Sequence, residues 1–97
     1  MSLGVCTIQL RFPENQSLKD KRRILKSLIT RVRSRYNVAI AEMGDQDLWQ
    51  LAVLGVACLS NDAQQVDKVL SKVAEFIRQS RLDIEVLDYN IEIMPFP

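Results

Sequence analysis

The amino-acid sequence predicts a single two-layer α+β domain in which two helices pack on one face of a four-stranded antiparallel sheet. Two long stretches repeat apolar residues at the helical spacing of three and four residues. Four other stretches alternate apolar and polar residues, or are apolar almost throughout, as strands are. The helices follow the first and third strands, which gives the order β-α-β-β-α-β. The 97 residues, 47% of them apolar, suffice for one core, so we expect a single domain over residues 1–97.

The first strand and the first helix are predicted from residue 4 to Tyr36. Every second residue is apolar over residues 4–12, and residues 13–16 then break the pattern. Ser17 is a good N-cap for the helix that follows, and we expect Asn37 to end that helix because Asn tolerates the left-handed conformation. The helix has one apolar face, formed by Leu18, Ile24, Leu25, Leu28, Ile29, Val32 and Tyr36.

Two strands and a polar turn are predicted next. Residues 38–43 form a short strand, and residues 44–47 form the turn. Residues 48–59 are nearly all apolar, which is typical of a central strand covered on both faces. Gly55 in this strand indicates a bulge or a close approach by another backbone.

The last third of the chain supplies the second helix and the fourth strand. Residues 60–62 form a capping cluster. The helix after it has one apolar stripe, formed by Val66, Val69, Leu70, Val73 and Ile77. Residues 80–83 are predicted to connect this helix to a strand over residues 84–94. With both helices on one face of the sheet, this order is that of the ferredoxin-like sandwich.

The first helix carries an unusual concentration of positive charge. The net charge of +1 conceals nine Lys/Arg and two Asp/Glu in residues 1–35, against four and ten in residues 36–97. Free N–H groups and cations at a helix start are what an anion site needs. We therefore predict that an anion, such as a nucleic-acid phosphate, binds near Ser17, Lys19, Lys21, Arg22, Arg23, Lys26 and Arg33. The alternative is a basic face that only contacts water.

Lys21 differs from the other cations because it projects toward the apolar sector of the helix. One explanation is that its stem covers the edge of the core while its ammonium reaches water or a carboxylate. The other is a buried catalytic lysine, since burial can lower a lysine pKa toward neutrality.

Several enzyme classes are excluded by the residues that the chain lacks. Without histidine there is no Ser-His or Cys-His nucleophile and little basis for a zinc site. The glycines are isolated, and Cys6 and Cys58 lack metal-ligand spacing, so we expect two buried, reduced thiols. We therefore expect a non-catalytic binding module without a cofactor or metal; a small phosphate-handling enzyme is the third hypothesis, after the two binding functions. Neither a membrane span nor a signal peptide is apparent, so we expect a cytoplasmic location.

The sheet face without helices is the second predicted interaction surface. It should carry apolar residues of the third strand beside polar residues of the first, and we place Arg11, Glu42 and Trp49 on it. A large apolar face exposed to water favours a partner, and a second copy of the chain is the simplest cover. A homodimer without nucleic acid is therefore the alternative function.

Five motifs in the same order resemble those of the YlxP-like family of small bacterial proteins of unknown function. They are SLKDKRR (17–23), NVAIAE (37–42), DLWQ (47–50), LGVA (54–57) and SND (60–62). The resemblance implies a ferredoxin-like fold. It also implies an RNA- or ribosome-related role, since genes of that family often lie among translation and ribosome-maturation genes. It supplies no catalytic residues.

Overall fold

The computed structural model shows a four-stranded antiparallel sheet with two helices on one face, and it describes residues 1–80 and 83–97. In chain order the elements are β1 (Ser2–Arg11), α1 (Leu18–Arg35), β2 (Ala39–Gly44), β3 (Leu51–Ser60), α2 (Ala63–Ser80) and β4 (Glu85–Pro95). The strands lie in the order β2-β3-β1-β4, and every neighbouring pair is antiparallel. The predicted ferredoxin-like β-α-β-β-α-β fold is confirmed.

The core lies between the sheet and the helices. The central strands β1 and β3 bury alternate side chains against the helices: Cys6, Ile8 and Leu10 from β1, and Ala52, Leu54, Val56 and Cys58 from β3. The helices bury the apolar stripes seen in the sequence: Ile24, Leu25, Leu28 and Val32 from α1, and Val66, Leu70, Val73, Ala74 and Ile77 from α2. Each large aliphatic side chain buried in this way contributes about 1.5–3 kcal/mol to folding.

The third strand is central, as predicted, but only one of its sides is buried by the helices. Its other side is half-buried and belongs to the open face of the sheet. The strand also begins at Leu51 rather than at Leu48, because residues 48–50 belong to the loop after β2. The apolar run therefore predicted the central position of the strand in the sheet. It did not predict that the side without helices is only half-buried.

The end of α1 differs from the prediction at Asn37. The helix ends at Arg35, and the N–H of Tyr36 still donates to the carbonyl of Val32 while Tyr36 itself is extended (φ −131°, ψ 139°). Asp45 is the one non-glycine residue with positive φ in the part of the chain that the structure describes, so Asn37 is not left-handed. The chain passes directly from the helix into β2 and needs no left-handed reversal.

The close approach predicted at Gly55 is made by a side chain. A Cβ at Gly55 would lie 2.7 Å from Cγ of Met43. The irregularity in pairing lies opposite, in β2 between Glu42 and Gly44, so Met43 is the bulged residue and packs over Gly55.

The predicted connector at 80–83 includes residues 81 and 82, which lie outside the described residues, while Ser80 belongs to α2.

Both thiols are buried and unpaired, as expected from the sequence. Burial raises the pKa of Cys6 to about 11, and it also raises the pKa of Cys58. Both thiols are therefore protonated at neutral pH, which disfavours nucleophilic chemistry at either one.

Within residues 1–80 and 83–97, neither helix has the length and apolarity needed to span a membrane.

Helix α2 passes so close to β1 that it requires glycine at position 4. A Cβ there would collide with the side chains of Val66 and Leu70. We expect Gly4→Ala to lower the free energy of unfolding by about 1–3 kcal/mol, because overpacking displaces core side chains. Urea denaturation measures this change in the free energy of unfolding. Gly44→Ala is the matched control, since its Cβ would make ordinary contacts at 3.5 Å with Val53; equal losses in both variants would contradict the explanation.

Candidate functional site

Four cations project from the N-terminal half of α1. Lys19, Arg22, Arg23 and Lys26 are exposed and follow the spacing i, i+3, i+4, i+7, which places them on one side of the helix. The N-cap is Ser17, as predicted: its Oγ accepts a hydrogen bond from the N–H of Asp20 at 3.1 Å. We call Lys19, Arg22, Arg23 and Lys26 the basic stripe.

The basic stripe is largely free of internal partners. Arg23 lies 3.6 Å from the Asp20 carboxylate, and both side chains are well exposed, so this pair contributes little to stability. Within residues 1–80 and 83–97, Lys19, Arg22 and Lys26 form no ion pair. The charges are therefore available to a ligand from outside the fold.

A groove of about 360 Å³ runs between α1 and the edge strand β2, beside the basic stripe. Arg22 and Lys26 line it together with apolar residues of both elements. Arg33 also lines it, but its Nη2 donates to the carbonyl of Ile40 at 3.0 Å. Arg33, predicted as an anion-binding residue, thus links α1 to β2 as well as adding charge to the groove.

Lys21, counted with the anion-binding residues in the prediction, is buried. Its side chain has no exposed surface, and its Nζ donates to the carbonyls of Asp45 (2.7 Å), Leu51 (3.0 Å) and Gln46 (3.4 Å). The same Nζ lies 3.1 Å from Oε2 of Glu42, as an ion pair that lacks the geometry of a hydrogen bond. Its donors are used inside the fold, so Lys21 does not belong to the binding surface.

Glu42, predicted on the open face, lies on the helix side of the sheet. It pairs with Leu54, a buried residue of β3, and Ile40 two residues before it is buried too. Because alternate residues of a strand point to the same face, Glu42 also points toward α1, where its carboxylate lies beside the ammonium of Lys21. The prediction that Glu42 lies on the same face as Arg11 is wrong; Arg11 lies 3.9 Å from Glu85 of β4.

The loop between β2 and β3, residues 45–50, is held against the start of α1 by several hydrogen bonds besides those of Lys21. The N–H of Phe12 donates to the carbonyl of Gln50 at 2.8 Å, and Asn15 Nδ2 donates to the carbonyl of Trp49 at 3.4 Å. Gln50 Nε2 donates back to the carbonyl of Asn15 at 3.0 Å. The backbone of this loop is therefore fixed, although Trp49 is 54% exposed.

The open face of the sheet is divided into an apolar part and an acidic part. The apolar part includes Val5, Ala39, Ala41, Met43, Val53, Ala57 and Leu59 from β1, β2 and β3. The acidic part is β4, where Glu92, Asp88 and Glu85 pair with Val5, Gln9 and Arg11 of β1. Two of the predicted partner-face residues, Arg11 and Trp49, lie at one end of this face.

The far side of α1 uses its cations differently. The guanidinium groups of Arg31 and Arg35 lie 5.5 Å and 4.9 Å from the ring centroid of Phe76 on α2. Cation–π contacts of this kind are worth about 0.5–1 kcal/mol at exposed sites. These two arginines therefore help to join the helices. Among the described residues, His, Cys, Asp and Glu side chains form no group of three or more that could hold a metal ion.

Sequence reasoning missed the residues that fix the loop, above all Asn15 and Gln50. Asn15 is buried, with 8% of its surface exposed, in a stretch that reads as a polar break. Polar residues beside a proline are common in exposed turns, so the sequence carries no signal that distinguishes this one.

Comparisons with known proteins agree with the fold and the motifs. Residues 3–91 match the family described as "Protein of unknown function (DUF503)". The uncharacterized protein YlxP of Bacillus subtilis (strain 168) is 46% identical over 61 residues, which cover 63% of this chain and 66% of that protein. The match thus spans just under two thirds of that relative. The de novo designed protein Foldit4 superposes over 100% of both chains with a TM-score of 0.56 and 11% identity, a likeness of fold alone.

Removing the ammonium of Lys21 should destabilise the protein strongly. We expect Lys21→Met to lower the free energy of unfolding by about 3–5 kcal/mol, because Glu42 and three carbonyls lose their partner. Chemical denaturation measures the change.

Lys26→Met is the matched control for Lys21→Met, since Lys26 is an exposed lysine of the same helix. It should change the free energy of unfolding by no more than about 0.5 kcal/mol. Adding Glu42→Gln to Lys21→Met should restore part of the loss, because it removes the unpaired carboxylate. Equal effects of the two Lys→Met variants would contradict a structural role for Lys21.

Proposed function

Since this chain belongs to the DUF503 family of proteins of unknown function, we propose from its own surface that it is a non-catalytic module that binds RNA through the first half of α1. The observation that carries the proposal is the basic stripe. Lys19, Arg22, Arg23 and Lys26 are exposed together, and only Arg23 has a carboxylate close by in the part of the chain that the structure describes.

The position of Lys19 is unfavourable for the folded chain alone. The first turn of a helix carries the positive end of its dipole, where a cation costs about 0.3–1 kcal/mol at low salt. Acidic residues belong there, yet Asp20 is the one acidic residue in the first turn of α1. A negatively charged ligand offsets this cost, because it meets both the cations and the helix dipole.

The dimensions of the basic stripe suit a chain of phosphates better than a single small anion. Residues 19 to 26 span about 10 Å along the helix axis at 1.5 Å per residue. Long Lys and Arg side chains extend this reach, and phosphate contacts need little more than such a row of cations. The groove of about 360 Å³ beside the stripe provides space for the strand.

The remaining charges define how a polyanion would approach. The acidic residues of β4 lie on the open face, away from α1, so they repel the phosphates of a polyanion from β4 while the basic stripe attracts them. The chain has no histidine, and both of its thiols are buried with raised pKa values, which favours binding over catalysis. The RNA- or ribosome-related role implied by the family resemblance points to ribosomal RNA as the first ligand to test.

Binding through the basic stripe should depend steeply on salt. Four phosphate contacts give a log–log slope of about −2.8 on single strands, so affinity should fall roughly fiftyfold between about 50 and 200 mM salt. Fluorescence anisotropy of a labelled RNA measures the affinity at each salt concentration. An affinity that stays constant over this range would contradict the proposal.

Charge reversal on α1 tests the location of the site. We expect Arg22→Glu/Arg23→Glu to abolish enrichment of ribosomal RNA from native lysate and to weaken labelled RNA binding at least tenfold. Lys68→Glu/Lys72→Glu is the matched control, because it makes the same change in net charge at exposed positions of α2. Equal losses in the two variants would show that net charge, and not the basic stripe, governs binding.

A second candidate function, a homodimer, is favoured by the open face of the sheet. Its apolar part spans three strands and includes Met43 and Leu59, which are 67% and 61% exposed. A shallow depression of about 320 Å³ lies within it, lined by Arg33 and by apolar residues that include Ala41 and Ala57. Because the carboxylates that the strands carry on this face belong to β4, two copies can pack their apolar parts about a two-fold axis without burying those carboxylates.

A dimer through this face should dissociate when charge is placed on it. We expect Met43→Glu/Leu59→Glu to give a monomer by light scattering at micromolar concentration, where the wild type is a dimer. Leu87→Glu is the control, since Leu87 is an exposed leucine of β4 beside α2. A monomeric wild type would reject the dimer and leave RNA binding unaffected.

A further inference from the structure

We propose that the cleft beside Trp49 binds one nucleobase of a single-stranded RNA whose phosphates lie on the basic stripe. The inference rests on the proposed function and deepens it. It assigns a base-stacking site to a loop that holds none of the cations of the stripe.

The cleft lies at one end of the open face. It has a volume of about 600 Å³ and is lined by Arg11, Asp47, Leu48, Trp49, Gln50 and Leu51. Pockets for small ligands typically have about 300–1,000 Å³ and combine apolar walls with a few polar groups. Trp49 and Leu48 are 54% and 47% exposed, so a flat ring has access to the indole.

The backbone that carries Trp49 is fixed before any ligand arrives. Lys21 holds the carbonyls of Asp45, Gln46 and Leu51, and Asn15 holds the carbonyl of Trp49 itself. A large apolar side chain left in water on a rigid loop is unfavourable for the free protein, and it is favourable for binding because little backbone entropy is lost. The structure therefore presents the indole rather than burying it.

The charges of the cleft suit a neutral ring better than a phosphate. Arg11 and Asp47 contribute one charge of each sign, and Glu85 lies 3.9 Å from Arg11. A phosphate would meet two carboxylates and one guanidinium. A base would stack on Trp49 and find a donor in Arg11 and an acceptor in Asp47 along its edge.

The cleft and the basic stripe belong to the same end of the molecule. Asn15 lies two residues before the N-cap of α1 and contacts the backbone of Trp49. Lys21, between Lys19 and Arg22 on the helix, contacts the loop at Asp45. The loop that lines the cleft therefore packs against the start of α1, the end of the helix that carries the basic stripe.

Trp49 is the one tryptophan of the chain, so its fluorescence reports directly on the cleft. We would titrate the wild type with a uridine-rich RNA of about twelve nucleotides and, separately, with inorganic polyphosphate, which has the charge but no bases. We expect the RNA to quench the tryptophan. Polyphosphate should displace labelled RNA from the protein without quenching it.

Substitutions then separate stacking from charge. Trp49→Ala should weaken RNA binding about five- to hundredfold, as loss of a stacked base does, and leave polyphosphate binding unchanged. Trp49→Phe should restore most of the affinity. Tyr89→Ala is the matched control, since Tyr89 is a comparably exposed aromatic residue of β4. It should change neither RNA binding nor polyphosphate binding.

The outcomes distinguish the cleft from the proposed function. If RNA binds and Arg22→Glu/Arg23→Glu abolishes binding, but the tryptophan is not quenched and Trp49→Ala binds normally, the cleft proposal fails and the RNA-binding module stands. If the wild type binds no RNA, both fail. If Trp49→Ala changes the oligomeric state and not RNA affinity, the cleft is a protein interface, which overturns the inference.

Discussion

The ammonium of Lys21 determines how this end of the molecule is built. It joins the first turns of α1 to a later segment of the chain, where its partners are Glu42 in β2 and the carbonyls of Asp45, Gln46 and Leu51. Burial of a charge costs several kcal/mol unless partners surround it, and here a carboxylate and three carbonyls do so. Lys21 thereby links the first turns of α1 to the loop that presents Trp49.

The sequence predicted the architecture well because periodicity reports burial directly. The stripes of α1 and α2 and the alternation of β1 each identify an element and its buried side. Element ends were less well predicted where a local hydrogen bond decides them. Tyr36 keeps its bond to Val32 and moves straight into an extended conformation, so Asn37 has no cap to form.

The candidate site was predicted only in part, for a physical reason. Exposed cations on a helix can be recognised by their spacing, so Lys19, Arg22, Arg23 and Lys26 emerge from the sequence alone. The partners of Lys21 are mostly backbone carbonyls, which every residue possesses, and no side-chain pattern reveals them. Glu42 was placed on the wrong side because β2 has only six residues, half of them small, and a bulge at Met43 obscures its alternation.

The hydrogen bond from Arg33 to the carbonyl of Ile40 has a consequence for behaviour at high concentration. It occupies an acceptor on the outer rim of the sheet, where β2 is short and distorted by its bulge. The opposite rim, β4, is long, but it carries Asp88 and Glu92, and its own irregularity lies beside Leu10. Carbonyl acceptors that are already hydrogen-bonded, charges of the same sign and irregular strands all disfavour the addition of further molecules strand by strand. The chain is thereby protected against fibrillar self-assembly at both rims, although part of the open face of its sheet is apolar.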